Sequence, residues 1–140
     1  MRLPEKLVLD EIKISEPSER FSSDNESPEQ LIQFLDPVNR QIWGYVVVDN
    51  TRRGPGLGGI RMAPDVTLGE VRRLARAMTL KNSAAALPFG GGKAAIVTDP
   101  VAMALNPAKK RDLIGIFAEA LFDVDTYIPA PDMGTNEQDL

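Results

Sequence analysis

Three side chains have the type and setting for chemistry: Lys93, Lys81 and Asp132. Gly90-Gly91-Gly92 delivers Lys93 into the apolar run Ala94-Ala95-Ile96-Val97. A lysine set among apolar neighbours loses solvation of its charged form, which fits it to take and return protons. The same residues also describe a lysine that snorkels from a strand end to water, and both readings stay open. Lys81 falls at the edge of an apolar helical stripe and Asn82 near its centre, so both need partners. For Lys81 either a salt bridge to a neighbouring element or an anionic substrate group would serve, and the residues lean slightly to the salt bridge. Asp132, in Pro129-Ala-Pro131-Asp132-Met-Gly134, follows a short strand and precedes a helix start. Ligands of parallel sheets gather at such strand ends, although an aspartate between proline and glycine also shapes turns.

Absent residue types narrow the chemistry. The 140 residues contain neither histidine nor cysteine. That excludes disulfide frameworks, thiolate zinc sites, cysteine nucleophiles and imidazole proton transfer. Acid–base work falls to Lys, Asp, Glu or Tyr. A pI near 4.9 argues against a nucleic-acid footprint. No apolar run approaches the roughly 18 residues of a membrane span, and no signal peptide is recognisable, so a cytoplasmic protein without a membrane or nucleic-acid partner is expected.

Two glycine motifs invite nucleotide readings. Gly54-Pro-Gly56-Leu-Gly58-Gly59 contains G-x-G-x-x-G after a strand, but a dinucleotide site also needs a helix opening at the third glycine. Here Ile60-Arg61-Met62 continues a strand and Pro64 follows, so the glycines are expected to let backbone pass close to backbone or ligand. Gly90-Gly91-Gly92-Lys93 lacks the spacing and the Ser or Thr of a phosphate loop.

The elements that must position these residues follow from pattern. Residues 1–28 read as a flexible arm, with Ser15–Pro28 polar and turn-rich, and residues 29–140 as one domain. Pro28, Gln30 and the apolar Leu31, Ile32, Phe34 and Leu35 predict a helix ending at Pro37. Ile42–Asp49 reads as a buried strand and Leu57–Met62 as a second. Thr67 and Glu70 form a capping box for a helix whose Leu68, Val71, Leu74, Ala75, Met78 and Ala85 share one side, opposite Arg72, Arg73 and Arg76. A strand over 94–97, a helix capped by Asn106 and a strand over 127–130 follow, with Thr135-x-x-Gln138 capping a further helix. The alternation predicts an α/β fold with a mostly parallel sheet flanked by helices. Leu140 falls about one turn into that last helix, so more protein or a partner is expected to cover it.

Together Gly54-Pro-Gly-Leu-Gly-Gly-Ile-Arg-Met62, Met78-Thr-Leu-Lys81-Asn, Leu87-Pro-Phe-Gly-Gly-Gly-Lys93 through Pro100 and Pro129-Ala-Pro-Asp-Met-Gly-Thr135 resemble the N-terminal substrate and oligomerisation domain of the glutamate/leucine/phenylalanine/valine dehydrogenase family. Lys93 follows Lys81 by 12 positions and Asp132 follows Lys93 by 39, which is family spacing. Ala95 departs from the Gly or Val usual two residues after the lysine. The resemblance implies reversible oxidative deamination of an L-amino acid to a 2-oxo acid and ammonia, with hydride passing to NAD or NADP. It implies Lys93 as the catalytic lysine and Asp132 as the proton shuttle to the substrate nitrogen. Lys81 would hold the α-carboxylate, with Met78, Leu57 and Gly59 lining the substrate pocket. Leu57 stands where glutamate-acting members usually carry a lysine, which favours leucine, valine or phenylalanine as substrate. The phrase Pro129–Gly134 instead resembles the glutamate branch, so glutamate remains the alternative. The resemblance further implies a homo-oligomer and a nucleotide-binding domain outside these residues, without which the chain is expected to be inactive. A stand-alone, non-catalytic oligomerisation or amino-acid-binding module and a structural remnant whose lysines are only salt-bridged are the remaining readings.

Overall fold

The structure is a computed structural model that describes residues 2–13 and 27–131. Its elements in chain order are β1 (Val8–Ile12), β2 (Gln30–Leu35), β3 (Ile42–Val48), β4 (Gly56–Met62), α1 (Leu68–Ala84), β5 (Gly90–Ile96), α2 (Pro100–Ala104), α3 (Pro107–Leu121) and β6 (Tyr127–Pro131). The strands form one sheet in the order β1-β2-β3-β5-β4-β6. Helices cover both faces, as the α/β expectation required. Parallel pairing is confined to β4 with β5 and β4 with β6, while β1–β2, β2–β3 and β3–β5 are antiparallel, so the sheet is mixed.

The antiparallel half has a simple origin. The segment predicted as a helix from Leu31, Ile32, Phe34 and Leu35 is strand β2. A six-residue apolar run satisfies helical spacing and a two-sided buried strand equally, and its length favours the strand. Flanked by β1 and β3, β2 sends Leu31 into one layer of the core and Ile32 and Phe34 into the other. Part of the expected arm is likewise paired: residues 8–12 form β1, and Gln33 Nε2 donates to Asp10 Oδ2 at 2.7 Å across that pairing.

From β4 the chain crosses through α1 to β5 on one side, then through α2 and α3 to β6 on the other. Right-handed crossovers in opposite directions place their helices on opposite faces of the sheet. Thr67 caps α1 by accepting from the amide of Glu70 at 3.2 Å. Asp99 caps the short α2, which the sequence pattern does not separate, and Asn106 caps α3 ahead of Pro107. Beneath α2 and α3 lies the larger core, built from Ile32, Phe34, Trp43, Val46, Val48, Ile60, Met62, Ile96, Met103, Leu113 and Phe117. Phe34 and Phe117 meet edge to face with centroids 5.0 Å apart. Beneath α1 the core is thinner, with Leu31, Val47, Val66, Val71, Ala75 and Ala95. Among the described residues no helix is long and apolar enough to cross a membrane.

Candidate functional site

The sequence pattern sets Gly90–Gly92 in a loop and Lys93 at a strand end; the structure runs β5 through all three glycines, so Lys93 is its central residue. Lys93 is 7% exposed and pairs with Val47 of β3. Alternation along a strand puts Gly91, Lys93 and Ala95 on one face, and Ala95 and Val47 belong to the core under α1. Lys93 therefore sits in the layer between the sheet and α1.

Glycine makes that layer narrow. A Cβ on Gly91 would lie 2.2 Å from the Thr79 amide nitrogen and 2.4 Å from the Ala75 carbonyl oxygen. The helix backbone thus rests on strand backbone, an approach that any side chain at position 91 prevents. On the neighbouring strand a Cβ on Gly58 would lie 1.6 Å from the Gly92 carbonyl oxygen. This bears out the expectation that the glycines allow close approach of main chain, and β4 continues through them as a strand.

Leu57 pairs with Gly91 across β4 and β5, and with Ile128 across β4 and β6. It is half-buried and shares the α1 face with Gly59 and Arg61. Arg61 reaches the first turn of α1 and pairs with Glu70 at 2.9 Å. On α1, Met78 is half-buried and Asn82 is 3% exposed. Asn82 Nδ2 donates to the Leu57 carbonyl at 3.2 Å and to the Gly90 carbonyl at 2.8 Å, which supplies the partners that its inward position demands. Lys81, in the last turn of α1, is exposed. The lysine predicted at the edge of the stripe is thus exposed on α1, and Lys93 lies buried beneath that helix. The structure brings Lys93, Leu57, Gly59, Met78 and Lys81 to one face of the sheet. Asp132 and the Thr135–Gln138 cap lie outside the described residues.

A polar cluster at the turn after β3 is not evident from the sequence. Asp49, 5% exposed, accepts from Thr79 Oγ1 at 2.5 Å, from Arg76 Nη1 at 3.2 Å and from Asn50 Nδ2 at 3.1 Å. Its amide donates to the Gly91 carbonyl at 2.8 Å. The helical wheel places Arg76 on the solvent side of α1, yet its guanidinium folds toward the sheet; the long arginine stem makes the wheel position a poor guide to where the charge ends. The one available signal is an aspartate closing an otherwise apolar strand. Among the described residues no group of three or more His, Cys, Asp or Glu could hold a metal ion.

The domain is a mixed α/β sheet with Lys93 buried beneath α1 and Lys81 exposed on α1 itself, and comparison with known proteins gives its family. Residues 28–140 match the Glu/Leu/Phe/Val dehydrogenase family, dimerisation domain, and the chain belongs to that family. It is 45% identical over 95 residues to the glutamate dehydrogenase of Thermotoga maritima, covering 66% of this chain and 23% of that protein. It is 41% identical over 120 residues to the NADP(+)-dependent glutamate dehydrogenase of Pyrobaculum calidifontis, covering 79% and 28%. Among solved structures, L-tryptophan dehydrogenase from Nostoc punctiforme superposes with a TM-score of 0.69 at 25% identity, over 83% of this chain and 34% of that one. The chain thus spans about a quarter of the length of these curated relatives.

Proposed function

We propose that this chain supplies the substrate-binding part of an NAD(P)-dependent L-amino-acid dehydrogenase, which interconverts an L-amino acid with a 2-oxo acid and ammonia. The observation that carries this reading is Lys93, buried on the sheet face beneath the same helix that bears Lys81 on its last turn. Family membership supports it.

In this reading Lys81 holds the α-carboxylate, so that the reacting carbon is presented in one orientation. Lys93 takes a proton from the water that attacks the iminium carbon, and in its cationic form it stabilises the negative oxygen that develops. Asp132 exchanges protons with the substrate nitrogen. Met78, Leu57 and Gly59 line the pocket. The described residues do not fit a dinucleotide: Gly54–Gly59 runs into β4, and the next helix opens only at Leu68. The nucleotide is therefore assigned to other parts of the whole enzyme, and none of these residue roles runs through it. The family's description as a dimerisation domain supports a self-associating chain.

For the substrate side chain we assign an apolar preference. On the α1 face β4 offers Leu57, Gly59 and an Arg61 already paired with Glu70. A carboxylate desolvated beside Leu57 without a cation costs several kcal/mol. Glutamate is the second reading, favoured by the two curated relatives. Calorimetric titration of the chain with leucine and with glutamate, in wild type and Lys81→Ala, tests both. Leucine is expected to bind, with an affinity at least about tenfold weaker in Lys81→Ala, the scale of a lost charge-assisted hydrogen bond. Tighter binding of glutamate selects the second reading, and no heat from either ligand with wild type sinks the proposal.

A further inference from the structure

Asn82 is the polar member of the three buried residues of α1, beside Val71 and Ala75. Its single amide nitrogen carries two hydrogens, and each meets a main-chain carbonyl on a different strand: Leu57 on β4 and Gly90 on β5. Those strands carry two of the candidate groups, since the proposed function assigns Leu57 to the side-chain pocket and Gly90 starts the strand whose central residue is Lys93. On its own helix Asn82 directly follows Lys81 and lies one turn beyond Met78. One buried carboxamide therefore joins every element that carries a described candidate residue.

The ties made by Glu70, Thr79 and Arg76 reach elsewhere. Glu70 holds the first turn to Arg61, toward the far end of β4. Thr79 and Arg76 hold the middle of the helix to Asp49, beyond β3. The backbone contact at Gly91 limits how closely α1 approaches, and Asn82 ties the last turn of the helix to the Leu57 main chain.

We propose that Asn82 is a positioning residue for substrate discrimination: by gripping the Leu57 carbonyl it fixes the side-chain pocket relative to the carboxylate-binding lysine. This rests on the functional reading above. A purely structural asparagine, when replaced, lowers stability and weakens every ligand alike. A positioning asparagine also changes how well the protein separates ligands that share a carboxylate and differ in side chain.

The test uses the 140-residue chain, with thermal midpoints and calorimetric affinities for leucine, glutamate and alanine, each well below the midpoint of the variant. Asn82→Asp keeps the shape and replaces the donor by acceptors facing two carbonyls. Asn82→Ser keeps one shorter donor. Thr79→Val loosens α1 without touching Leu57. Wild type is expected to prefer leucine or glutamate over alanine. Asn82→Asp should lower that preference by about fivefold or more, the scale of one lost buried hydrogen bond, and Asn82→Ser should lower it partly. Thr79→Val should lower the midpoint and leave the preference unchanged. An unchanged preference in Asn82→Ser and Asn82→Asp, or in Asn82→Ser alone should Asn82→Asp not fold, overturns the proposal and leaves the functional reading standing. Failure of wild type to bind any of the three overturns both.

Discussion

The two faces of the sheet are filled by different means. Under α2 and α3 the space is occupied by large apolar side chains, with Trp43, Phe34, Phe117, Ile96, Met103 and Leu113 almost fully buried. Under α1 the apolar side chains are fewer and smaller, with Leu31, three valines and two alanines, bare backbone meets the helix at Gly91, and the polar groups Lys93, Asn82 and Asp49 lie at or below 7% exposure. The first face gains stability from buried area. The second holds ionisable and amide groups in a frame of main-chain contacts, which have no rotamers to sample. Fold stability is concentrated on one side of the sheet and candidate chemistry on the other.

Four substitutions test that division. Phe117→Ala removes the ring that packs on Phe34 and should cost about 3–5 kcal/mol in urea unfolding, with ligand preference unchanged in the protein that remains folded. Gly91→Ala pushes a methyl group into the α1 backbone and should cost about 3 kcal/mol, and here ligand affinity should fall with stability because the helix must lift. Equal ligand affinity in folded Gly91→Ala would break the comparison. Asp49→Ala strips Thr79 and Arg76 of a shared acceptor and should cost about 2 kcal/mol, a value held down by the partial exposure of Arg76. Gly115→Ala, on α3 where a Cβ meets nothing within 4 Å, should stabilise by about 0.5–1 kcal/mol and leave ligand binding untouched.

Residues that the sequence places well share a property: their neighbours in the chain determine them. Thr67 with Glu70, Asn106 with Pro107 and the β-branched run of β3 need no distant partner to be read. Asn82 at the centre of an apolar stripe is legible as a residue needing partners, and Leu57 and Gly90 are those partners. The errors concern residues whose state is set from afar. Leu31–Leu35 becomes a strand because β1 and β3 stand ready to pair with it. Gly90–Gly92 looks like a loop in isolation and is a strand because β3, β4 and α1 close around it. Arg76 points inward because Asp49 is there, a partner 27 positions away.

Asn82 grips position 57 by its main-chain oxygen, so the grip is indifferent to which side chain that position bears. A leucine there can be swapped for a cation, a polar group or a smaller hydrocarbon while the scaffold keeps its registration. If Leu57 faces substrate as proposed, its side chain is uncoupled from the architecture that carries it, and a single codon there could alter selectivity without disturbing the frame.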